Sequence, residues 1–335
     1  EAGERIADAL ERPFHIHESE IHNGASIGAA LFPDHAEDTE SLLKRADSAM
    51  YQAKAAGGGT VAIYREAAND SRRRLSLTSQ LRRAISEGEL RVHYQPIFRV
   101  SDLALTSLEA LVRWQHPEQG LVPPGVFIPV AEQTGLIDPI TEYVIDAVCG
   151  QAREWLGQGR RPTMTFNLAP RQTRRADLAE SVLGQITGHR LDPSQFCVEL
   201  TETSVLSDER RHRSLLTEFS EAGLAVAIDD FGAGHSSLAR LRDMPVHVLK
   251  VDRSFLARVP ADPRSSAIVA AILELSAALG MTTVVEGVEE QSQLDFLSAH
   301  ACPLVQGFLL GRPVPADQID AELLPAAPTA VGRAA

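Results

Sequence analysis

The chain has 335 residues, 44% of them hydrophobic and 23% charged, which matches soluble globular proteins and excludes intrinsic disorder as a starting point. Acidic residues outnumber basic ones 45 to 32, and the formal charge of -13 argues against a basic face for duplex nucleic acid. Cys149, Cys197 and Cys302 are far apart and form no CxxC pair, so neither a disulfide framework nor a structural zinc site is supported. No apolar run reaches the roughly 18 residues needed to cross a bilayer.

In chain order, residue 1 falls inside a helical pattern over 2–10, which predicts a fragment whose upstream region carries a sensor or membrane anchor. That helix ends at Pro13. Strand-like runs follow at 14–17 and 25–32, then an amphipathic helix over 39–56 with apolar Leu42, Leu43, Ala46, Met50 and Ala53 at helical spacing. Gly57-Gly58-Gly59 reads as its stop, and 60–64 returns to strand. Residues 1–65 are too few for an independent core. The polar, Arg-rich stretch 66–74 reads as a linker or the first turn of a connecting helix.

Eight short apolar runs come next, at 90–97, 105–112, 163–167, 197–200, 225–228, 246–251, 283–285 and 304–308. From the second onward, helical patterns such as 137–156, 208–222 and 265–279 separate them. Strand alternating with helix over about 240 residues is the pattern of a closed (β/α)8 barrel or a large doubly wound sheet, and eight runs favour the barrel. The gap between 97 and 105 is too short for a crossover helix, so the first two strands are expected to pair as an antiparallel hairpin. The expected fold is therefore a modified TIM (β/α)8 barrel with its first strand antiparallel. It is assigned to 75–318, and the Ala- and Pro-rich tail, 319–335, is expected to be disordered.

Polar residues stand at the ends of these runs: Glu109, Asn167, Glu199 with Glu202 beyond it, Asp229-Asp230, Lys250 with Asp252, Glu286 and Gln306. A lone carboxylate at a strand end is most often a helix cap or a loop ion pair. Seven successive strands ending this way are hard to explain as capping, because barrel sites lie at the C-terminal mouth and these residues should converge there. Five carboxylates and an amide oxygen form a hard donor set for divalent cations, without the Cys or His that would favour zinc. Adjacent Asp229 and Asp230 suit a pair of ions, the usual apparatus for in-line phosphodiester hydrolysis. Lys250 is placed to hold or polarise the attacking water, and Arg113 to hold a phosphate.

The run Glu109-Ala110-Leu111-Val112-Arg113-Trp114 resembles the EAL signature of bacterial cyclic-di-GMP phosphodiesterases. The resemblance continues through Tyr94-Gln95-Pro96-Ile97, Asn167-Leu168-Ala169-Pro170, Glu199-Leu200-Thr201-Glu202, Asp229-Asp230-Phe231-Gly232, Leu249-Lys250-Val251-Asp252, Glu286-Gly287-Val288-Glu289 and Gln306-Gly307-Phe308. It implies a barrel with one reversed strand and hydrolysis of cyclic di-GMP to linear pGpG in second-messenger signalling, with two Mg2+ or Mn2+ ions per site and Ca2+ inhibitory. It implies Glu109, Asn167, Glu199, Asp229, Asp230 and Glu286 as metal ligands and Lys250, Glu286 and Gln306 as catalytic groups. Gln95, Arg113 and Asp252 become substrate contacts, and Glu202 the anchor of the loop 231–237. A homodimer and a cytoplasmic location are implied, the full-length protein being tethered to the membrane through its upstream region. The loop departs from the family at Ala233 and His235, which bears on rate and regulation. A non-catalytic cyclic-di-GMP receptor is the alternative reading.

The first segment resembles the C-terminal third of a diguanylate cyclase (GGDEF) domain in Ser26-Ile27-Gly28-Ala29-Ala30 and in the run from Leu42 to Lys54. The nucleotide-binding signature of that family lies upstream of these motifs, so cyclase activity is not expected in these residues.

Overall fold

The computed structural model describes residues 3, 5–6, 14–16, 19–21, 25–36, 38–55, 60–64, 67–207, 209–232, 244–320 and 323–325. Most of the predicted helix 2–10, the glycine stop 57–59, loop residues 233–237 and tail residues 326–335 lie outside them. The chain divides into two compact units, Glu1–Ser79 and Gln80–Ala335.

In the first unit, β1 (Phe14–Ile16) and β2 (Ser19–Ile21) form an antiparallel pair, while β3 (Ile27–Ala29) and β4 (Val61–Ile63) pair in parallel. The intervening α1 (Thr39–Ala55) buries Ala49 and Ala53. Leu43, expected on the apolar face, is 67% exposed, because the buried positions are Ala49 and Ala53, with Ala46 half-buried beside them. Small residues at these positions let the helix backbone lie on the strand. A Cβ added to Gly28 would collide with the backbone of Ala46 and Met50, so glycine is needed there. Of the two readings of 66–74, the structure has the helical one: α2 runs Ala67–Ser86, and the polar stretch forms its first two turns.

The second unit is a closed eight-stranded barrel. Its strands are β5 (Leu90–Arg99), β6 (Leu105–His116), β8 (Thr163–Leu168), β9 (Phe196–Thr201), β10 (Ala225–Phe231), β11 (Val248–Val251), β12 (Thr282–Val285) and β13 (Leu304–Val305). A short β7 (Gly120–Val122), which the sequence reading missed, pairs antiparallel with β6 outside the ring. Strand β5 is antiparallel to both neighbours, β6 and β13, and every other neighbouring pair in the ring is parallel. This is the reversed strand that the short 97–105 gap demanded.

Because β13 is only two residues long, the upper half of β5 lacks a neighbour there. Returning chain fills the place: Tyr94 and Val314 exchange backbone hydrogen bonds of 2.7 and 3.0 Å. The expected disorder from 319 is also corrected in part. Leu324 is buried, the Arg161 amide donates to the Pro325 carbonyl at 2.7 Å, and the Arg160 guanidinium donates to the Leu324 carbonyl at 3.1 Å.

Around the ring lie α3 (Pro124–Thr134), α4 (Ile137–Gly157), α5 (Leu178–Gly188), α6 (Glu202–Ser207), α7 (Glu209–Glu221), α8 (Pro263–Ala278) and α9 (Gln291–Ala299). Strand side chains alternate between the two faces. Outward positions such as Met164, Phe166, Val198, Leu200, Val226, Ile228, Leu249, Val251 and Val285 form the core under the helices, each at most 2% exposed. Asp262 starts α8 by accepting from the Arg264 and Ser265 amides at 3.3 and 3.0 Å, satisfying two of the orphan donors of its first turn. All three cysteines are buried and unpaired, and among the described residues no helix is long and apolar enough to cross a membrane.

Candidate functional site

The inward parity of the strands carries the predicted residues. Cross-strand register places Gln95 opposite Glu109, Asn167 opposite Glu199, and Glu199 opposite Ala227, two residues before Asp229. Lys250 follows inward Val248 and aligns with Val284, two residues before Glu286. A lone carboxylate at a strand end would be a cap; here the register aligns the polar ends of successive strands as one ring of side chains at the C-terminal mouth.

Lys250 stands at the centre, 1% exposed. Its Nζ lies 2.6 Å from Glu286 Oε1, 2.7 Å from Glu199 Oε2, 3.4 Å from Glu109 Oε2 and 3.5 Å from Asp229 Oδ1. Glu109 is also gripped by two amides: Gln306 Nε2 donates to Oε2 at 2.6 Å, and Asn167 Nδ2 donates to Oε1 at 3.1 Å.

These contacts divide the carboxylates. Burial alone would raise the pKa of Glu109, but the Lys250 ammonium and the two amides outweigh it and hold that carboxyl below its ordinary value. Burial and repulsion from Glu109 outweigh the same lysine at Glu199 and raise it well above the carboxylate range. Glu286 is pushed up to about 7 by burial, with Asp229 and Glu109 adding repulsion. For Lys250, burial opposes the charge, yet four carboxylates keep the ammonium protonated and its pKa raised. The pocket therefore has more negative charge than one ammonium balances, and protons make up part of the difference.

Asp229 and Asp230 are neighbours and by strand parity should face opposite ways. The β10–β11 register shifts between Ile228 and Phe231, and Asp230 adopts φ +54. This bulge with a left-handed residue breaks the strand parity, and the two carboxylates stay close enough for their charges to repel. Burial, then repulsion from Asp229 and Asp252, raises the pKa of Asp230. Its amide donates to Asp229 Oδ1 at 2.9 Å.

The donor set is oxygen throughout, and Asn167 commits its Nδ2 to Glu109 while its Oδ1 remains available as a ligand. The chemistry fits a hard divalent cation. Among the described residues no three acidic, His or Cys side chains surround a common ion position, because the carboxylates are drawn onto Lys250.

Above this cluster is a mouth cavity of about 270 Å³, lined in part by Gln95, Glu109, Asp252, Glu286 and Gln306. Gln95 donates its Nε2 to the Gly311 carbonyl at 3.1 Å, and Asp252 caps the short 3-10 turn Arg253–Phe255 by accepting from the Ser254 amide at 3.0 Å. Arg113 is not among the lining residues; it donates to the Val112 carbonyl at 2.9 Å on the strand that carries Glu109. Glu202 stands apart, 2% exposed, and accepts from the Gly232 amide at 2.9 Å where the loop 231–237 begins.

Sequence reasoning assigned no role to Glu289 and Phe308, which also line the mouth. Phe308 is 47% exposed, and the Arg312 guanidinium carbon lies 4.3 Å from its ring centroid. Their spacing was the available signal: Glu289 follows Glu286 by three, and Phe308 follows Gln306 by two. Gly287 between them has φ +70, and a Cβ there would strike Arg253.

The sequence model of the EAL domain matches residues 78–313, and that of the "Diguanylate cyclase, GGDEF domain" matches residues 1–60. "Bifunctional diguanylate cyclase/cyclic di-GMP phosphodiesterase MucR" of Pseudomonas aeruginosa is 38% identical over 318 residues, covering 94% of this chain and 46% of the relative. "Cyclic di-GMP phosphodiesterase PdeR" of Escherichia coli is 35% identical over 313 residues, covering 93% of this chain and 47% of the relative. The chain thus spans about half the length of these curated relatives. A solved structure described as "PaMucR Phosphodiesterase, c-di-GMP complex" superposes with a TM-score of 0.71 at 41% identity, over 73% of this chain and 100% of the other. The chain belongs to the EAL domain family and carries a partial GGDEF domain ahead of the barrel.

Proposed function

We propose that this chain hydrolyses one phosphodiester of cyclic di-GMP to give linear pGpG. The observation that carries the reading is the buried Lys250 ammonium with four carboxylates within 3.5 Å at the mouth of an EAL barrel. Relatives named for cyclic di-GMP phosphodiesterase activity, and a neighbouring structure described as a cyclic di-GMP complex, support it.

Glu109, Asn167, Glu199, Asp229, Asp230 and Glu286 would hold two Mg2+ or Mn2+ ions. Such ions, when bound, supply an activated water and neutralise charge on the phosphoryl oxygens. Lys250 would donate to the attacking water and orient it, and Gln306 fixes Glu109 through its amide. Lys250 or Glu286, whose side chains meet at 2.6 Å, would take the proton the water releases. Gln95, Asp252 and Arg113 hold the substrate. Glu202 ties the start of the loop 231–237 to the site. Ca2+ inhibits, because a larger ion with a looser shell suits a compact pair poorly.

The reading extends to a homodimer acting in the cytoplasm, with residues 1–65 as the end of a GGDEF-type domain and the barrel domain over 75–318. The test is incubation of the purified chain with cyclic di-GMP and Mg2+, then Mn2+, with chromatography for pGpG. No turnover with either ion sinks it. Cyclic di-GMP binding without pGpG would select the alternative reading, a non-catalytic receptor.

A further inference from the structure

The interior of a (β/α)8 barrel is ordinarily filled by layers of bulky branched side chains. Here the inward positions beneath the carboxylates include Ser107, Thr165, Cys197 and Ala227, all small. They leave a cavity of about 220 Å³ whose wall includes Glu199 and Lys250, and whose rim includes exposed Thr282. It reaches the buried lysine–carboxylate pair from the floor, opposite the mouth.

One side chain in that wall lacks what buried polar groups require. Thr165 is 5% exposed, and its Oγ1 is buried with no hydrogen-bond partner among the described residues. An unmet buried hydroxyl is costly, and such groups in native structures are met by ordered water. The lining is mixed, with Ile97, Val248, Val284 and Leu304 apolar and Thr163, Thr165, Glu199 and Lys250 offering polar atoms; a wholly apolar cavity stays dry, but one with convergent polar atoms and room for more than one water does not.

We infer that the barrel floor is a second, hydrated site. Its ligand is a cluster of ordered waters, anchored on Thr165 Oγ1 and extending to Glu199. Thr165 is accordingly a positioning residue for the reaction. Its hydroxyl fixes the waters that support Glu199 from below, while the substrate occupies the opposite side.

The first test does not depend on activity. A high-resolution crystal structure of the chain is expected to show a water within hydrogen-bond distance of Thr165 Oγ1 and a second one bridging toward Glu199. In Thr165→Val, of nearly the same shape, the first water should be missing. A dry floor in the native protein overturns the inference whether or not the chain is an enzyme.

The second test rests on the phosphodiesterase reading. Thr165→Val is expected to lower kcat about fivefold with KM unchanged, the size of one lost hydrogen bond, and Thr165→Ser to restore it. Native kcat in Thr165→Val overturns the positioning role, as does a loss that Thr165→Ser fails to rescue. If Thr165→Val folds poorly, Ala227→Leu provides the same test by filling the floor: it should expel the waters and lower kcat without raising KM. An Ala227→Leu barrel with waters expelled and native kcat also overturns the role. A hydrated floor in a chain that turns over nothing upholds the water site and removes the reading of function alone.

Discussion

Each barrel strand has two faces with opposite demands. On β8, Phe166 points outward and is fully buried in apolar surroundings, while its neighbours Thr165 and Asn167 point inward to hydroxyls and carboxylates. On β11, Leu249 and Val251 belong to the core, and Lys250 between them sits among four acids. The outward face collects the hydrophobic stabilisation. The inward face concentrates like charge, which destabilises the folded chain until something offsets it. Stability and chemistry are thus one residue apart in sequence and on opposite sides of a sheet.

Substitutions on the two faces should therefore fail differently. Glu109→Ala removes a carboxylate gripped by Gln306 and Asn167, and pGpG production at ordinary Mg2+ concentration should fall at least about a hundredfold, as for loss of a metal ligand with its hydrogen-bonded support. Its denaturant midpoint should change far less than its rate. A Glu109→Ala variant with near-native turnover breaks the division. Phe166→Ala should do the reverse, losing about 3–5 kcal/mol in urea unfolding while the folded fraction keeps its turnover.

The raised carboxylates make the comparison pH-dependent. Glu199, Asp230 and Glu286 bind protons more tightly in the folded state than in the unfolded chain, Glu286 with a pKa of about 7. The folded state therefore holds more protons between the ordinary carboxylate value and neutrality, so stability rises as pH falls through that range. The melting temperature of metal-free protein should increase from pH 8 to pH 5.5. Added Mg2+ should flatten the slope, because a cation replaces the protons. Below about pH 4.5 the trend reverses at Glu109, whose depressed pKa means its contribution is lost on acidification. A metal-free chain that loses stability steadily from pH 8 to 5.5 contradicts the crowded-charge account.

The smallest effect is expected at Glu202. Removing the Glu202 acceptor from the part-buried Gly232 amide costs about 1–3 kcal/mol locally. Glu202→Gln keeps a shorter-range neutral acceptor, so its turnover should lie between native and that of Glu202→Ala. Equal rates for all three would disconnect this anchor from the site.

Much of this division was legible in the sequence. Buried parallel strands are continuous apolar runs, so all eight ring strands stood out, and the length of the 97–105 gap dictated the reversed one. The polar ends were legible because they interrupted those runs at one end only. What stayed hidden depends on tertiary context. Strand β7 is three residues long and exists by leaning on β6. Helix α2 was legible only as an alternative to a linker, because it begins in a polar stretch without the apolar periodicity of a core-facing helix. The break in parity at Asp230 requires a bulge that the tetrapeptide Asp229-Asp230-Phe231-Gly232 does not announce. Arg113 was expected to hold a phosphate, yet its guanidinium bonds the Val112 carbonyl beside it, a rotamer choice that spacing cannot reveal.

The reversed strand has a topological corollary. With β5 antiparallel, the chain enters the barrel at Leu90 on the mouth side, and the segment leaving β13 returns beside it through the Tyr94–Val314 pair. Entry and exit are neighbours, and the turn 100–104 between β5 and β6 lies at the other end of the barrel. A circular permutant of the barrel, opened at Leu103 and joined across its old ends, would convert β5 from the first strand to the last while leaving every inward carboxylate in register. The order in which the strands are synthesised is thereby separable from the site they build.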